Sequence, residues 1–228
     1  MSAANDALLD LHADILCFQE VRDWDSMAEL VSVLAGFHPL VVRRFRGASG
    51  PISIQQTAIA SRWPADGAWS ESFQPSAATP PRGFSFAAIR HGKTVLLVYS
   101  VHFKSNRGEA TRNIAKREEA ARQLLAHVAE MESAYSGSAK VVTVIAGDFN
   151  TDPTDVRFAS EGTFAILREK FTWASENVSP SERVTNPANG RYPDACFDGF
   201  LVRGVIILSC KPIPISGVSD HFPAILTV

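Results

Sequence analysis

Short apolar runs, each about the length of one β-strand, recur along this 228-residue chain. The longest, such as Val95–Tyr99, fall far short of the roughly 20 apolar residues that span a bilayer. Between the runs, residues 109–133 carry apolar side chains at helical spacing and predict one long helix. Strands outnumber helices, and they come in hairpins as well as in alternation with helices. This pattern favours an α+β fold built of stacked layers of sheet and helix.

The other predicted elements are shorter. Helices are predicted over residues 3–12, 25–35 and 161–169, and strands over residues 14–18, 40–42, 57–61, 84–90, 94–102, 141–146 and 223–228. A hairpin is predicted for residues 197–202 and 205–209, and loops for residues 46–56 and 74–83. No repeat or linker divides the sequence, so residues 1–228 are expected to form a single domain.

Composition excludes several classes of function. The chain has 22 Lys and Arg against 24 Asp and Glu, a formal charge of −2. The chain is therefore not one of the strongly basic proteins that bind nucleic acid through their overall charge. A polyanion would have to be bound by a local basic patch or through metal ions. Three widely spaced cysteines do not form a disulfide framework or a structural zinc motif. The first residues lack the features of a signal peptide, so a cytoplasmic location is the default expectation.

Polar residues that can carry chemistry stand at the ends of the predicted strands. Five such ends are Gln19-Glu20, His102, Asp148-Phe149-Asn150, Asp198 and Asp220-His221. Because a strand buries its body and exposes its tip, these side chains are expected to converge on one rim. Each has a structural alternative when taken alone, such as an Asp/Asn turn or an exposed strand-end Glu.

Neighbouring polar residues can also cooperate. Strand alternation puts Asp148 and Asn150 on the same side, where a carboxylate and an amide can hold a water molecule and an anionic oxygen. Asp198 can orient His221 through its ring N–H. His102 can act as a general acid, as a cation facing a phosphoryl oxygen, or as an ordinary hydrogen-bonded histidine.

The order of these groups along the chain resembles the endonuclease/exonuclease/phosphatase superfamily. The matching stretches are residues 14–21, 60–64, 100–105, 146–150 and 218–223, and the resemblance spans residues 14–228. It implies a four-layer α/β sandwich, in which two mixed β-sheets pack face to face with helices outside. It also implies hydrolysis of phosphodiesters or phosphomonoesters with Mg²⁺ or Mn²⁺, ions that suit hard oxygen ligands.

The resemblance also implies roles for the acidic and amide residues. Glu20 would be a metal ligand, and Asp220 would lie near the ion. Asp148 would hold or deprotonate the attacking water, and Asn150 would bind a phosphate oxygen.

The histidines receive roles by the same resemblance. His221, steadied by Asp198, would contact the scissile phosphate, and His102 would stabilise charge or assist the leaving oxygen. Whether Asp148 or His221 is the base stays open, because coupled groups share protons.

The sequence departs from the family pattern in two ways. The family opens with a strand that carries an Asn beside the metal, whereas this sequence begins at the following helix, and Asn5 sits on that helix. A missing strand would leave unpaired sheet edges, and self-association through the gap is one expected consequence. His102 stands where abasic-site endonucleases carry Tyr, which favours the deoxyribonuclease and sphingomyelinase branches.

Several residues near the rim bear on the substrate. Lys104 and Arg107 follow His102 and would contact a phosphate backbone, although solvated charges are the plain alternative. Four aromatic side chains would either stack on bases or close the core: Trp63, Trp69, Phe73 and Phe84. The leading hypothesis is a metal-dependent nuclease that acts on DNA, and whether it also acts on RNA stays open. The alternatives are a phosphoesterase for a small or lipid phosphate and a degenerate member that binds phosphate without turnover.

Overall fold

The computed structural model describes residues 3–46, 52–137, 140–190 and 192–228. In chain order its elements are α1 (Ala3–Asp10), β1 (Ile15–Val21), α2 (Trp24–Val31), β2 (His38–Val42), β3 (Gln56–Ser61), β4 (Ala65–Ser72), β5 (Gly83–His91), β6 (Thr94–His102), α3 (Ala110–Tyr135), β7 (Lys140–Asp148), α4 (Thr163–Arg168), β8 (Thr172–Trp173), β9 (Asp198–Arg203), β10 (Ser209–Pro212) and β11 (Ala224–Thr227). Among the described helices, none has the length and apolar character that a bilayer crossing requires.

The largest sheet has six strands in the order β4-β5-β6-β7-β9-β8. Strands β6 and β7 run parallel, and the other neighbours in this sheet are antiparallel. The second sheet has the order β1-β3-β2 and is antiparallel, while β10 and β11 form a separate antiparallel pair. The long helix α3 is the connection that a parallel pair such as β6 and β7 requires.

Strand alternation builds the layers. On β5, Phe84 and Phe86 face the core that includes Ala121 and Leu124 of α3, while Ile89 faces the core shared with the three-stranded sheet. Helices α1 and α2 cover the outer face of that second sheet. The predicted α/β sandwich, with helices outside and sheets face to face, is confirmed, and only the six-stranded sheet is mixed in the part of the chain described.

The four aromatic residues considered for base stacking belong to the interior. Phe73 and Phe84 are buried in the core beneath α3, and Trp69 packs against the same core. Trp63 packs at the edge of the core between the sheets. Stacking on bases is therefore wrong for Phe73 and Phe84, whose rings have no open face.

The predicted elements differ from the structure in several places, of which two change the sheets, and the loop predicted over residues 46–56 lies partly outside the described residues. The sequence pattern missed β4, because this edge strand is rich in Ala, Gly and Ser and carries only a weak apolar alternation. The predicted hairpin of residues 197–202 and 205–209 is wrong. After Gly204, at φ 83°, the chain leaves the sheet with Ile206 and Leu208 exposed, and β10 then pairs with β11 instead of β9.

Candidate active site

Three neighbouring strands place their polar ends at one edge of the six-stranded sheet. His102 at the end of β6 is the register partner of Asp148 at the end of β7, and Asp148 is the partner of Asp198 at the start of β9. Gly147 permits this approach, because a Cβ there would lie 2.0 Å from the carbonyl oxygen of Val101. The structure thus brings these three predicted residues to a common rim.

His221 reaches the same rim from the loop before β11. Its Nδ1 donates a hydrogen bond of 2.7 Å to Oδ2 of Asp198. Burial lowers the pKa of His221, but the hydrogen bond and charge of Asp198 outweigh burial and, with Asp148 and Asp220, raise it to about 9. His221 is therefore a cation at neutral pH. The predicted orientation of His221 by Asp198 matches this geometry.

Asp148 is buried and held by its neighbour Asn150. The backbone N–H of Asn150 donates to Oδ1 of Asp148 at 2.8 Å, and its side-chain amide donates to Oδ2 at 2.9 Å. Burial and the charge of Asp198 raise the pKa of Asp148, against the opposing effect of His221. The same amide nitrogen also donates to the carbonyl oxygen of Phe103 at 3.3 Å, so both of its hydrogens are engaged within the protein. Asn150 therefore orients Asp148 in this geometry, and the phosphate contact that the resemblance implies stays a prediction.

His102 is a neutral histidine in this environment. Its ring is buried, with Nε2 lying 3.4 Å from Oδ2 of Asp148. Burial, followed by the charges of Arg82 and His221, lowers the pKa of His102 to about 3. Its Nδ1 is buried without a hydrogen-bond partner, which costs about 1–3 kcal/mol for such a group. A neutral ring cannot serve as the cation that one sequence interpretation assigned to it.

The carboxylates at this rim are oxygen donors of the kind that a divalent metal ion requires. Asp148, Asp198 and His221 each offer one ligand atom, and these atoms lie within 4.8 Å of one another. The protonated His221 donates rather than accepts, so the carboxylates supply the available lone pairs. Oxygen donors of this kind are what Mg²⁺ and Mn²⁺ favour.

The two predicted metal residues lie outside this group. Glu20 is exposed at a bulge in the pairing of β1 with β3, and its Oε1 accepts a hydrogen bond of 2.7 Å from Gln55. Asp220 is exposed, and Ser219 lies 3.5 Å from its Oδ1. The structure shows that both carboxylates are accessible to solvent ions. Their metal-binding roles stay predictions.

The two predicted substrate-binding residues have different surroundings. Nζ of Lys104 donates to the carbonyl oxygens of Ser105 and Arg107 at 2.8 and 2.9 Å. Burial, with the surrounding cations, lowers the pKa of Lys104. Arg107 is exposed on the same loop. Lys104 therefore supports the loop, and the exposed Arg107 is the more accessible cation.

Arg82 and Thr185 also support the site, although neither was among the residues predicted from the sequence. Arg82 donates to the carbonyl oxygens of His102 and Phe103, at the end of β6. Thr185 accepts the N–H of Asp198 with its hydroxyl oxygen at 3.0 Å and the N–H of Phe222 with its carbonyl oxygen at 2.7 Å. The sequence did contain a signal for Arg82. This residue directly precedes β5, and in an antiparallel pair the start of β5 lies beside the end of β6, where His102 stands.

Comparison with known proteins agrees with this architecture. The endonuclease/exonuclease/phosphatase family model matches residues 1–221. No curated protein matches the chain. The human Nocturnin catalytic domain with bound sulfate aligns with a TM-score of 0.69 at 17% identity, covering 99% of this chain and 85% of that one.

Two further solved structures share the fold. Truncated Caenorhabditis elegans TDP2 aligns with a TM-score of 0.66 at 17% identity, covering 97% of this chain and 88% of that one. A mannosyl-6-phosphatase of Bacteroides thetaiotaomicron aligns with a TM-score of 0.70 at 15% identity, covering 98% and 89%. At these identities the similarity shows the fold, whereas the family match covers nearly the whole sequence. The chain belongs to the endonuclease/exonuclease/phosphatase family.

Proposed function

We propose that the protein is a divalent-metal-dependent phosphodiesterase, a nuclease that hydrolyses DNA. Members of its family are hydrolases that act on phosphoester bonds with divalent metal ions. The observation that carries the proposal is the compact group of Asp148, Asp198 and His221, in which one polar side-chain atom of each residue lies within 4.8 Å of the others. Carboxylates beside a protonated imidazole suit a phosphoryl group that is attacked by water.

In this proposal Asp148 is the general base. The raised pKa makes the ionised form of Asp148 a stronger base than an ordinary carboxylate, and this form becomes more populated as pH rises; Asn150 fixes its direction. His221, protonated through Asp198, has no lone pair to accept a proton and instead donates to a phosphate oxygen. The water oxygen bonds to phosphorus and its proton passes to Asp148, while the bond to the leaving oxygen breaks and that oxygen takes a proton from solvent.

Glu20 and Asp220 are the proposed metal ligands. A bound divalent ion supplies positive charge to the phosphoryl oxygens at this rim. His102 contributes as a neutral group, since its Nε2 lies next to Asp148 and its low pKa keeps the ring uncharged. This uncharged ring avoids a fixed ion pair that would lower the basicity of Asp148.

Positive charge near Lys104 supports a polynucleotide substrate. Arg82, Lys116, Arg117 and Arg107 all act on Lys104 and lower its pKa. Arg117 is paired with Glu161, so the remaining cations supply the field of this loop. Arg107, at the exposed end of this group, is the proposed contact for a nucleic-acid backbone.

Cleavage of supercoiled plasmid DNA tests the proposal. Wild-type protein is expected to nick the plasmid with Mg²⁺ or Mn²⁺ and to stop on addition of EDTA. Asp148→Asn is expected to lower the rate at least about 100-fold, the usual effect of losing a general base. Asp66→Asn is the matched control, because Asp66 pairs with Arg90 near the opposite end of β5. Metal-independent nicking, or nicking that survives Asp148→Asn, would rule out the proposed chemistry.

One observation favours a smaller phosphoester as the second candidate. The Lys104 ammonium is already bonded to loop carbonyls, and the chain as a whole carries a charge of −2. Salt dependence separates the two candidates, because polynucleotide binding weakens steeply as salt rises. Parallel salt series with plasmid DNA and bis(p-nitrophenyl) phosphate measure it. A flat response for both substrates would favour the small phosphoester.

Self-association is proposed through the groove between β1 and β11. In the described residues β1 pairs only with β3 and β11 only with β10, so each presents a free edge to a cavity of about 630 Å³. A second copy that binds there would satisfy these edges. Sedimentation velocity is expected to show a dimer that Ile225→Lys, a change within the groove, dissociates. A monomer at all concentrations would contradict it.

A further inference from the structure

Left-handed backbone geometry gathers at the candidate site. Four non-glycine residues have positive φ in the described chain, and three of them are Glu20 at 60°, Arg82 at 68° and Asn150 at 54°. Such conformations cost of the order of 1–3 kcal/mol each and persist where the surroundings enforce them. Glu20 and Asn150 already have proposed roles. Arg82 has none, so its strained conformation requires an explanation.

The main chain at Arg82 is fixed from both sides. Its carbonyl oxygen accepts hydrogen bonds from the N–H of Phe73 at 3.4 Å and from the guanidinium of Arg43 at 3.2 Å. The next residue, Gly83, has no room for a side chain, because a Cβ would lie 1.8 Å from the carbonyl oxygen of Glu71. These contacts fix the direction in which the Arg82 side chain leaves the backbone.

The guanidinium of Arg82 connects two sides of the site. Nη1 donates to the carbonyl oxygens of Phe103 at 2.8 Å and of His102 at 3.3 Å. Nη2 donates to Oε1 of Gln55 at 3.1 Å, and Nε2 of Gln55 donates to Oε1 of Glu20 at 2.7 Å. A continuous chain of hydrogen bonds therefore runs from the end of β6 to the exposed carboxylate of Glu20.

Charge reinforces this connection. Burial lowers the pKa of Arg82, and the carboxylates of Asp148 and Glu20 oppose that lowering. Both carboxylates therefore interact electrostatically with the Arg82 guanidinium. Lysine could not replace it, since one ammonium group lacks the planar fork that reaches two carbonyl oxygens and the Gln55 side chain together.

We propose that Arg82 is a positioning residue, which holds the Glu20 carboxylate through Gln55 in the orientation that binds the divalent ion. This inference rests on the proposed metal-binding role of Glu20. Groups that orient a metal ligand typically contribute about 10–100-fold to metal affinity. A direct contact between Arg82 and the substrate phosphate is the competing explanation.

Calorimetric titration of the metal-free protein with Mn²⁺ and Mg²⁺ provides the test. Arg82→Gln and Gln55→Ala are each expected to weaken binding about 10–100-fold, and Arg82→Lys is expected not to restore it. The double variant should have a metal affinity close to that of whichever single variant binds metal less tightly, because both changes break the same chain of hydrogen bonds. Arg122→Gln, an exposed change on α3, is the control and should bind as the wild type does.

The outcomes separate this inference from the proposed function. Unchanged metal affinity in both Arg82→Gln and Gln55→Ala overturns the inference, even if the wild type hydrolyses phosphodiesters. A raised KM for bis(p-nitrophenyl) phosphate at saturating metal, with unchanged metal affinity, assigns Arg82 to the phosphate and also overturns it. If the variants bind metal more weakly but the wild type hydrolyses no phosphoester, the inference is supported and the proposed function is ruled out. Failure of the wild type to bind either ion overturns both. If Arg82→Gln does not fold, Gln55→Ala decides.

Discussion

Replacing Asp198 by Asn isolates the interaction that charges His221. The two side chains are only 25% and 16% exposed, and Nδ1 lies 2.7 Å from Oδ2. The pKa of His221 is raised from 6.5 to about 9 against the effect of burial. This difference corresponds to about 3 kcal/mol, because a tenfold change in proton affinity is about 1.4 kcal/mol.

Histidine NMR titration of the metal-free protein measures the effect. Asp198→Asn removes the charge but keeps the shape, so burial should lower the pKa of His221 to about 7 or below. Asp220→Asn is the matched control, since Asp220 is exposed and makes the smallest contribution to the shift. If the pKa of His221 stays near 9 in Asp198→Asn, the pair is not the source of the charge.

The same pair gives a pH dependence of folding stability. A group whose folded pKa is raised stabilises the protein fully below its unfolded pKa of 6.5, and this contribution is lost as pH rises through about 9. Urea unfolding with a chelator should show the wild type losing up to about 3 kcal/mol relative to Asp198→Asn over this window. Comparison with the variant is needed because Asp148 also titrates abnormally. An unchanged difference across the window would refute the reasoning.

Three other perturbations test the packing around the site. Glu161→Ala removes the counter-charge of the buried Arg117 and should lower the free energy of unfolding in urea by about 3–5 kcal/mol. The double change Arg117→Met with Glu161→Leu should recover much of this stability, and a loss below about 1 kcal/mol in Glu161→Ala would contradict the prediction. Gly147→Ala should lower the free energy of unfolding by about 4 kcal/mol in a thermal melt. The control Gly92→Ala, whose Cβ would meet open space, should lower it by about 1 kcal/mol, and equal losses in the two variants would contradict the prediction. Cys17 is half-buried and burial raises its pKa to about 12, so it should react more slowly with a thiol reagent at pH 8 in the folded protein than after unfolding.

The residues at strand ends could be predicted because strand geometry is regular. A buried β6 followed by His102, and a buried β7 followed by Asp148, must end at neighbouring points once the two strands run parallel. The pairing of His221 with Asp198 also followed from residue type, since a carboxylate commonly orients a histidine. These relations depend on periodicity and chemistry, which the linear sequence contains.

Other features depend on tertiary contacts that no local pattern contains. Arg82 lies in a proline-rich stretch whose composition indicates only a loop, and its left-handed conformation is enforced by Arg43 and Phe73 from distant segments. The pairing of β10 with β11 depends on where the chain goes after Gly204. The neutral state of His102 likewise results from burial, which lowers its pKa, and strand-end position alone could not reveal it.

Hydrolysis of bis(p-nitrophenyl) phosphate in ¹⁸O-labelled water with Mn²⁺ tests the proposed chemistry most directly. Attack by a water molecule on phosphorus at the Asp148 site predicts one ¹⁸O atom in the p-nitrophenyl phosphate product. It also predicts that the labelled product disappears with EDTA and falls at least about 100-fold in Asp148→Asn. Label in p-nitrophenol, or labelled phosphate formed equally fast by Asp148→Asn, would contradict the assignment of this site as a metal-dependent phosphodiesterase.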